Sequence, residues 1–322
     1  MVEISLTQIA TLTINPAVDV ATTVKKMLPF TKMRFAPACR DPGGGGINVA
    51  RVLKRFGIEA KAIYPAGGAT GQLLGNLLAR EGVPGISIPV LNDTREDMTV
   101  FDETTREQYR FVFPGAALSE VEWHKCLGSI ALIQPWPRFV IASGSLPAGV
   151  PDDFFGRFAR ASRESHSKAI VDTSGSLLKA ALEEGVYLIK PNLREFRELA
   201  GITAVDEATL IETGRRLFDR YRIEVIAISM GRDGALLMTR DVALRANGLP
   251  IEPLSVSGAG DSFLGAMVWS LANGGSLDMA LRYGVAGGSA ALLNPGTELC
   301  RLEDVHRLAS EVTVTPIARH HD

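Results

Sequence analysis

Ser257-Gly258-Ala259-Gly260-Asp261-Ser262 runs directly into an apolar stretch over 263–271, so an acid stands at a helix start made by glycines. Two glycines let the backbone turn tightly and bring successive N–H groups up to a ligand with no Cβ in the way. The macrodipole of a helix beginning here adds positive potential, which stabilises a phosphoryl group or an ionised carboxylate. On these residues alone two readings stand: an ordinary capped helix, or a phosphate site with an acid beside it.

Outward from this turn, short β-rich apolar runs alternate with amphipathic helical segments, the pattern of βαβ units on a parallel sheet. Strands are predicted over 8–14, 60–65, 139–142, 169–172, 187–189 and 224–229, and helices over 47–56, 71–81, 152–162, 177–183, 195–200, 206–221, 261–272 and 277–292. The order predicts an α/β fold: a doubly wound, mainly parallel sheet flanked by helices. Two pieces break the rhythm, 18–38 and 94–113. In the second, Met98-Thr99-Val100-Phe101-Asp102 and Gln108-Tyr109-Arg110-Phe111-Val112-Phe113 flank a polar turn, which predicts a β-hairpin. Together the two pieces predict a small β-sheet lid over the strand ends, where open α/β sheets bind ligands. With no internal repeat, low-complexity tract or long linker, a single domain over 1–322 is expected.

The 322 residues are 46% hydrophobic and 22% charged, with a formal charge of -2, the profile of an ordinary globular protein. No Lys/Arg run forms a basic arm, so nucleic acid is not an expected partner. Cys39, Cys126 and Cys300 are an odd number at wide spacing, fitting neither a disulfide framework nor a zinc site and pointing to a reducing compartment. Met1-Val2-Glu3-Ile4-Ser5 lacks a basic leader segment, and no apolar run approaches the ~20 residues a bilayer span needs. A cytoplasmic protein, neither secreted nor membrane-inserted, is expected. Five scattered histidines, His320 and His321 among them, and the absence of a Gly-x-Ser-x-Gly elbow favour neither a metallohydrolase nor a serine hydrolase.

Pro42-Gly43-Gly44-Gly45-Gly46-Ile47-Asn48-Val49-Ala50-Arg51 puts four consecutive glycines before a helix. It matches neither the Walker A pattern nor G-x-G-x-x-G, so it is a flexible turn or a loop that lets a ligand reach the backbone, with Asn48 aimed at a substrate hydroxyl. Lys190-Pro191-Asn192-Leu193-Arg194-Glu195 places Asn192 and Glu195 three apart, as a capping box or as oxygen groups around a hydrated Mg²⁺. Asn15-Pro16-Ala17-Val18-Asp19 ends a strand with an acid able to accept sugar hydroxyls. Lys32, Arg34 and Arg95 lie in the lid pieces, as solvated charges or as holders of a substrate phosphate.

The set of 15–19, 43–51, 143–149, 190–195 and 258–261 resembles the PfkB, or ribokinase-like, carbohydrate kinase family over about 6–308, and is most similar to its minor 6-phosphofructokinase branch in 43–51, 64–71 and 108–118. The resemblance implies ATP-dependent phosphorylation of fructose 6-phosphate at its 1-hydroxyl, giving fructose 1,6-bisphosphate. It makes Asp261 the general base and the amides of Gly258, Ala259 and Gly260 the anion hole. Asp19, Gly44, Asn48, Arg95 and Ser145 become sugar-phosphate contacts, with Lys32 and Arg34 added by the lid. Lys190, Asn192, Ser229, Gly231, Gly234, Val256, Gly258 and Ser289 become nucleotide contacts, and Asn192 and Glu195 attend Mg²⁺ through water. Ser255, Ser257, Ala291, Asn294 and Gly296 surround what is a K⁺ site in relatives. Tagatose-6-phosphate and fructose-1-phosphate kinases resembling this chain usually carry Lys where it has Gly45, which tilts the substrate toward fructose 6-phosphate. Those two activities are the alternative, and a sugar-phosphate-binding regulator without catalysis is the reading from another class. The resemblance also implies a homodimer through the lid, helped by the apolar faces of Met98, Val100, Tyr109, Phe111 and Phe113.

Overall fold

The computed structural model describes residues 9–203 and 206–317. In chain order, its first half contains β1 (Ile9–Leu12), β2 (Ala17–Val24), β3 (Cys39–Gly43), α1 (Gly45–Arg55), β4 (Ala60–Ala66), α2 (Gly68–Arg80), β5 (Gly85–Pro89), β6 (Arg95–Asp102), β7 (Gln108–Phe111) and α3 (Glu120–Gly128). There follow β8 (Phe139–Ser143), α4 (Phe154–Glu164), β9 (Lys168–Asp172), α5 (Gly175–Glu184), β10 (Val186–Ile189), α6 (Leu193–Ala200), α7 (Glu207–Arg220) and β11 (Ile223–Ser229). The last elements are β12 (Ala235–Met238), β13 (Ala243–Ala246), α8 (Ala259–Ala272), α9 (Leu277–Ala291), α10 (Leu302–Ala309) and β14 (Val314–Ile317).

Among the described residues ten strands form one sheet in the order β14-β13-β12-β11-β10-β9-β8-β1-β4-β5. From β11 to β5 the strands are parallel, and β12, β13 and β14 close one edge antiparallel. The parallel strands are nearly continuous apolar runs because helices cover both faces. In β8, Phe139 and Ile141 join the core with α1, α8 and α9, whereas Val140 and Ala142 join the core with α4 and α5. After β1 the chain builds outward through β4 and β5, then returns to β8 on the other side of β1. That reversal leaves a crevice beyond the ends of β1 and β8, where open α/β sheets take ligands.

β2, β3, β6 and β7 form a separate four-stranded sheet in the order β3-β2-β6-β7. The hairpin within 94–113 is β6 paired antiparallel with β7, and β6 lies parallel to β2 from Ala17↔Arg95 to Val24↔Asp102. Within 18–38 only one strand forms; its partner β3 begins at Cys39 and runs through Pro42 and Gly43, residues with low strand propensity. Sequence periodicity also missed β5, β12, β13, β14, α3 and α10, because strands of 4 or 5 residues and helices of 9 and 8 residues carry too few repeats to register. Position 8 of the first predicted strand, the ends of the expected single domain and the stretch 1–5 lie outside the described residues, as do His320 and His321. Helices α1, α2 and α8 start two or three residues earlier than periodicity placed them, because glycines, not caps with side chains, open all three. No helix among the described residues is long and apolar enough to cross a membrane.

Two of these helices carry the residues of interest, and they touch through a glycine. A Cβ on Gly265 of α8 would lie 2.7 Å from Val52 Cγ1 of α1 and 2.8 Å from its Cβ. Gly265→Ala is therefore expected to cost about 1–3 kcal/mol of stability by overpacking. Adding Val52→Ala should recover much of the loss; thermal or urea unfolding of the three variants checks this, and a non-additive gain is the required outcome.

Candidate active site

The four-glycine loop at the start of α1 is clamped on every side, which excludes the flexible-turn reading. Gly44 has φ 113°, in the region that favours glycine. A Cβ on Gly43 would meet the Asp19 carboxyl at 2.5 Å, and one on Gly45 would lie 2.1 Å from Ser143 Oγ. The Ile47 N–H donates to Thr13 Oγ1 at 2.8 Å, pinning the helix start to the end of β1. Backbone approach at this crevice thus depends on the loop having no side chains, and the switch point of the sheet stays open.

α8 brings the second glycine start to the same crevice. Gly258 caps it with φ 72°, and no side chain satisfies the first N–H groups, so the amides of the first turn remain available as donors. Asp261 lies in that first turn, and Asn48 Nδ2 donates to its Oδ2 at 2.9 Å across 213 residues of sequence. Lys190, 5% exposed at the end of β10, makes an ion pair of 3.2 Å with Asp172 at the end of β9. Burial lifts the Asp261 carboxyl to about 7; Asp172 and Asp19 add to the rise, while the Asn48 hydrogen bond and Lys190 oppose it. Burial also raises Asp172, against the pull of Lys190. Burial works against the charge on Lys190, but Asp172, Asp261 and Glu195 outweigh it and hold its pKa above the usual lysine value. An acid that titrates near neutrality beside unpaired helix amides can accept a proton while a developing negative charge is stabilised next to it.

The lid contributes a row of three acids across its strands, Asp41, Asp19 and Asp97, set directly opposite one another. Like charges so placed repel. Burial and then Asp97 raise Asp19 to about 6, with Arg110, Arg51 and Arg95 opposing. Arg95 is committed to this row: it pairs with Asp97 at 3.0 Å, donates to Phe113 O at 2.9 Å and to Asn15 O at 3.3 Å, and its Nε is buried without a partner. Asn15 Nδ2 donates to Ser145 Oγ at 3.0 Å, joining the β1 and β8 ends. Lys32 and Arg34 sit exposed on the loop between β2 and β3, and neither makes a hydrogen bond or ion pair among the described residues. The structure thus gathers Asp19, Gly44, Asn48, Arg95 and Ser145 around the crevice, and ties neither Lys32 nor Arg34 to them by a hydrogen bond or ion pair among the described residues.

On the other side of α8 a cavity of about 420 Å³ is lined by Ser229, Gly231, Gly234, Val256, Ala259, Gly260 and Ser289. Leu249, Ile251, Pro253 and Phe263 supply an apolar wall that suits a flat ring. Lys190 is not among that lining; it reaches Asp172, with Nζ 3.6 Å from where a Gly260 Cβ would be. Asn192 and Glu195 form a reciprocal capping box on α6: Asn192 Oδ1 accepts from the Glu195 N–H at 2.9 Å, and Glu195 Oε2 from the Asn192 N–H at 3.0 Å. Beside Gly258, Ser255 Oγ donates to Gly296 O at 2.6 Å, and Ser257 Oγ is buried with no partner. Asn294 spans Ala290 O and Leu299 O at 3.3 Å each, and Ala291 ends α9.

Sequence reasoning missed Asp172, Arg110, Arg51 and the apolar wall. An acid at the end of an apolar strand was the available signal for Asp172. Val100, expected on an exposed lid face, is fully buried within the chain, whereas Tyr109, Phe111 and Phe113 are exposed there together with Leu28, Phe30, Phe35 and Val112.

A family model described as pfkB family carbohydrate kinase matches residues 18–304. The chain is 43% identical over 309 residues to the ATP-dependent 6-phosphofructokinase isozyme 2 of Mycobacterium tuberculosis (strain ATCC 25618 / H37Rv), covering 95% of this chain and 91% of the relative. It is 38% identical over 304 residues to the protein of the same description from Escherichia coli (strain K12), covering 94% and 98%. The crystal structure of phosphofructokinase-2 from Escherichia coli in complex with potassium superposes with a TM-score of 0.90 at 38% identity, covering 95% of this chain and 99% of the other.

Two measurements probe the charges at the crevice. Asp172→Asn removes the largest like-charge influence on Asp261 and frees Lys190 to face it, so a carbon-13 carboxyl titration should show the Asp261 midpoint falling below about 7; an unmoved or higher midpoint contradicts this electrostatic account. Because the folded value lies above the ordinary aspartate value of 3.8, folded Asp261 holds a proton that the unfolded chain releases, and its contribution to stability is lost as pH rises from about 4 to about 7. Asp261→Asn should therefore gain melting temperature over the parent chain as the pH is taken from 5 to 8, and a constant difference would refute the raised value.

Proposed function

The chain belongs to the pfkB family of carbohydrate kinases, and from that premise we infer that it transfers the γ-phosphoryl group of ATP to the 1-hydroxyl of fructose 6-phosphate, giving fructose 1,6-bisphosphate and ADP. The observation that carries the reading is the meeting of Asp261, Asn48 and the first turn of α8 between the 420 Å³ cavity on one side and the Asp19 crevice on the other. In this reading Asp261 takes the hydroxyl proton as the sugar oxygen bonds to phosphorus, and the bond from phosphorus to the ADP oxygen breaks. The amides of Gly258, Ala259 and Gly260 donate to the transferring oxygens, where charge gathers in the transition state. Ser229, Gly231, Gly234, Val256 and Ser289 line the seat of the nucleotide, and Lys190 lends positive charge beside Gly260.

Asp19, Gly44, Asn48 and Ser145 serve the sugar hydroxyls, and Arg95 its phosphate. Arg110 is added to that group by its influence on Asp19, and Lys32 and Arg34 are the exposed lid cations that would join it. A homodimer through the lid covers the exposed apolar group headed by Phe30, Phe35, Phe111 and Phe113, which is unusual on a lone surface.

The capping box engages Asn192 Oδ1 and Glu195 Oε2, so Glu195 Oε1, with Arg194 Nη2 at 3.8 Å, is the hard donor suited to Mg²⁺, while no group of three acid, His or Cys side chains among the described residues could cage a metal alone. These residues fit an ion held mainly by nucleotide phosphates and water, supplying charge neutralisation there. The orphaned Ser257 Oγ, on a residue whose N–H donates to the same Ser255 Oγ that engages the Gly296 carbonyl, fits the oxygen shell of a monovalent cation such as K⁺.

ADP release measured with MgATP against fructose 6-phosphate, fructose 1-phosphate and tagatose 6-phosphate tests the substrate. The highest kcat/KM is expected for fructose 6-phosphate; preference for another member would overturn the sugar and leave the phosphoryl transfer standing. Asp261→Asn should lower kcat by about 10²–10⁴-fold, the usual loss for a general base.

A further inference from the structure

Arg51 is 1% exposed, yet every donor it has is engaged. Its Nε donates to Glu81 at 2.9 Å and Nη2 to Glu81 at 2.6 Å and Asp41 at 3.4 Å, while Nη1 serves Pro42 O at 2.8 Å and Asn48 Oδ1 at 3.1 Å. A guanidinium has five N–H groups and no acceptor, so this set exhausts it and none is left for a substrate. The same fact decides the Asn48 amide. The atom that meets Arg51 has to be the carbonyl oxygen, and the NH₂ group is thereby turned to Asp261 Oδ2.

We propose that Arg51 is a positioning residue for phosphoryl transfer: by holding Asn48 Oδ1 it locks the amide so that an N–H always faces Asp261 Oδ2, and Asp261 Oδ1 is left as the atom that accepts the proton. This rests on Asp261 being the base. An N–H donor cannot receive a proton from Oδ2, so that oxygen stays an acceptor throughout the cycle. Glu81 at the end of α2 and Asp41 with Pro42 on β3 hold the guanidinium from the opposite side. Thr297 Oγ1 donates to Asp41 Oδ2 at 2.6 Å, so the anchor also joins the lid to the loop after α9. A lysine in place of Arg51 has three donors on one nitrogen and cannot span Glu81 and Asn48 in this forked geometry.

Asp261 also faces Asp172 of β9 and Asp19 of β2, which oppose its ionisation, and Lys190 after β10, which favours it. With Arg51 gone the amide is free to flip, and its carbonyl then repels the carboxylate. The acidic limb of the kcat–pH profile should move upward by about half to one pH unit, with kcat falling at pH 6 and largely returning above the limb. KM for MgATP should change less than two-fold, since no atom of Arg51 reaches the nucleotide cavity. Removing only one partner of a buried ion pair destabilises far more than removing both. The variants are therefore Arg51→Lys and the double change Arg51→Met with Glu81→Met, each with its melting temperature measured. A limb that stays in place while kcat falls equally at all pH values overturns the proposal and leaves Arg51 a structural anchor. Asp261→Asn separates the two layers. Retained turnover there overturns the base and the Arg51 role together, whereas lost turnover with an unmoved limb in the Arg51 variants overturns the Arg51 role alone.

Discussion

Lys190 places one buried positive charge among Asp172, Asp261 and Glu195, and the rest of the crevice is arranged around the imbalance this leaves. One cation cannot neutralise both buried carboxylates, Asp172 and Asp261, and burial raises the pKa of each. Asp172 takes the direct ion pair. Asp261, whose one side-chain hydrogen bond among the described residues comes from the Asn48 amide, is left with its carboxyl at about 7. The parallel sheet enforces this crowding: Asp172 and Lys190 close neighbouring strands and emerge at the same edge.

The same logic extends to the lid. Asp41, Asp19 and Asp97 stand in register on three strands, an arrangement that repulsion disfavours unless cations sit nearby. Arg51 pairs with Asp41 and Arg95 with Asp97, which leaves Asp19 in the middle without a direct ion pair among the described residues. Two carboxyls with raised values therefore meet the glycine loop and its helix: Asp19 lies against Gly43, and Asp261 accepts from Asn48. The chain concentrates its raised carboxyls at the crevice, and perturbed acids gathered in a cleft mark a functional site.

Glycines set how closely these groups approach. Gly43 makes room for the Asp19 carboxyl, Gly45 for Ser143, and Gly258 for Leu299, so the two helix starts close on the crevice from opposite sides. Gly265 brings α8 against Val52 of α1 one turn beyond Asp261, fixing the distance over which Asn48 reaches it. Backbone contact in place of side-chain contact explains why so little of this spacing is visible as a residue pattern.

Much of the fold was legible in the sequence because parallel strands buried on both faces have to be apolar runs, and 139–142 and 224–229 could be little else. The glycine starts at 43–46 and 258–260 and the acid at 261 were equally plain, since phosphate chemistry and tight turns both call for them. β3, with Pro42 and Gly43, was illegible because its pairing with β2 comes from the lid and not from its own propensity. Arg51 looked like one more helix residue, and Asp172 like the end of a strand. Only folding, which sets Arg51, Glu81 and Asp41 around one guanidinium and brings Asn48 within 2.9 Å of Asp261, decided which amide edge faces the acid. A sequence specifies which groups can donate and accept; which of them meet, out of water and in what orientation, is a property of long-range packing alone.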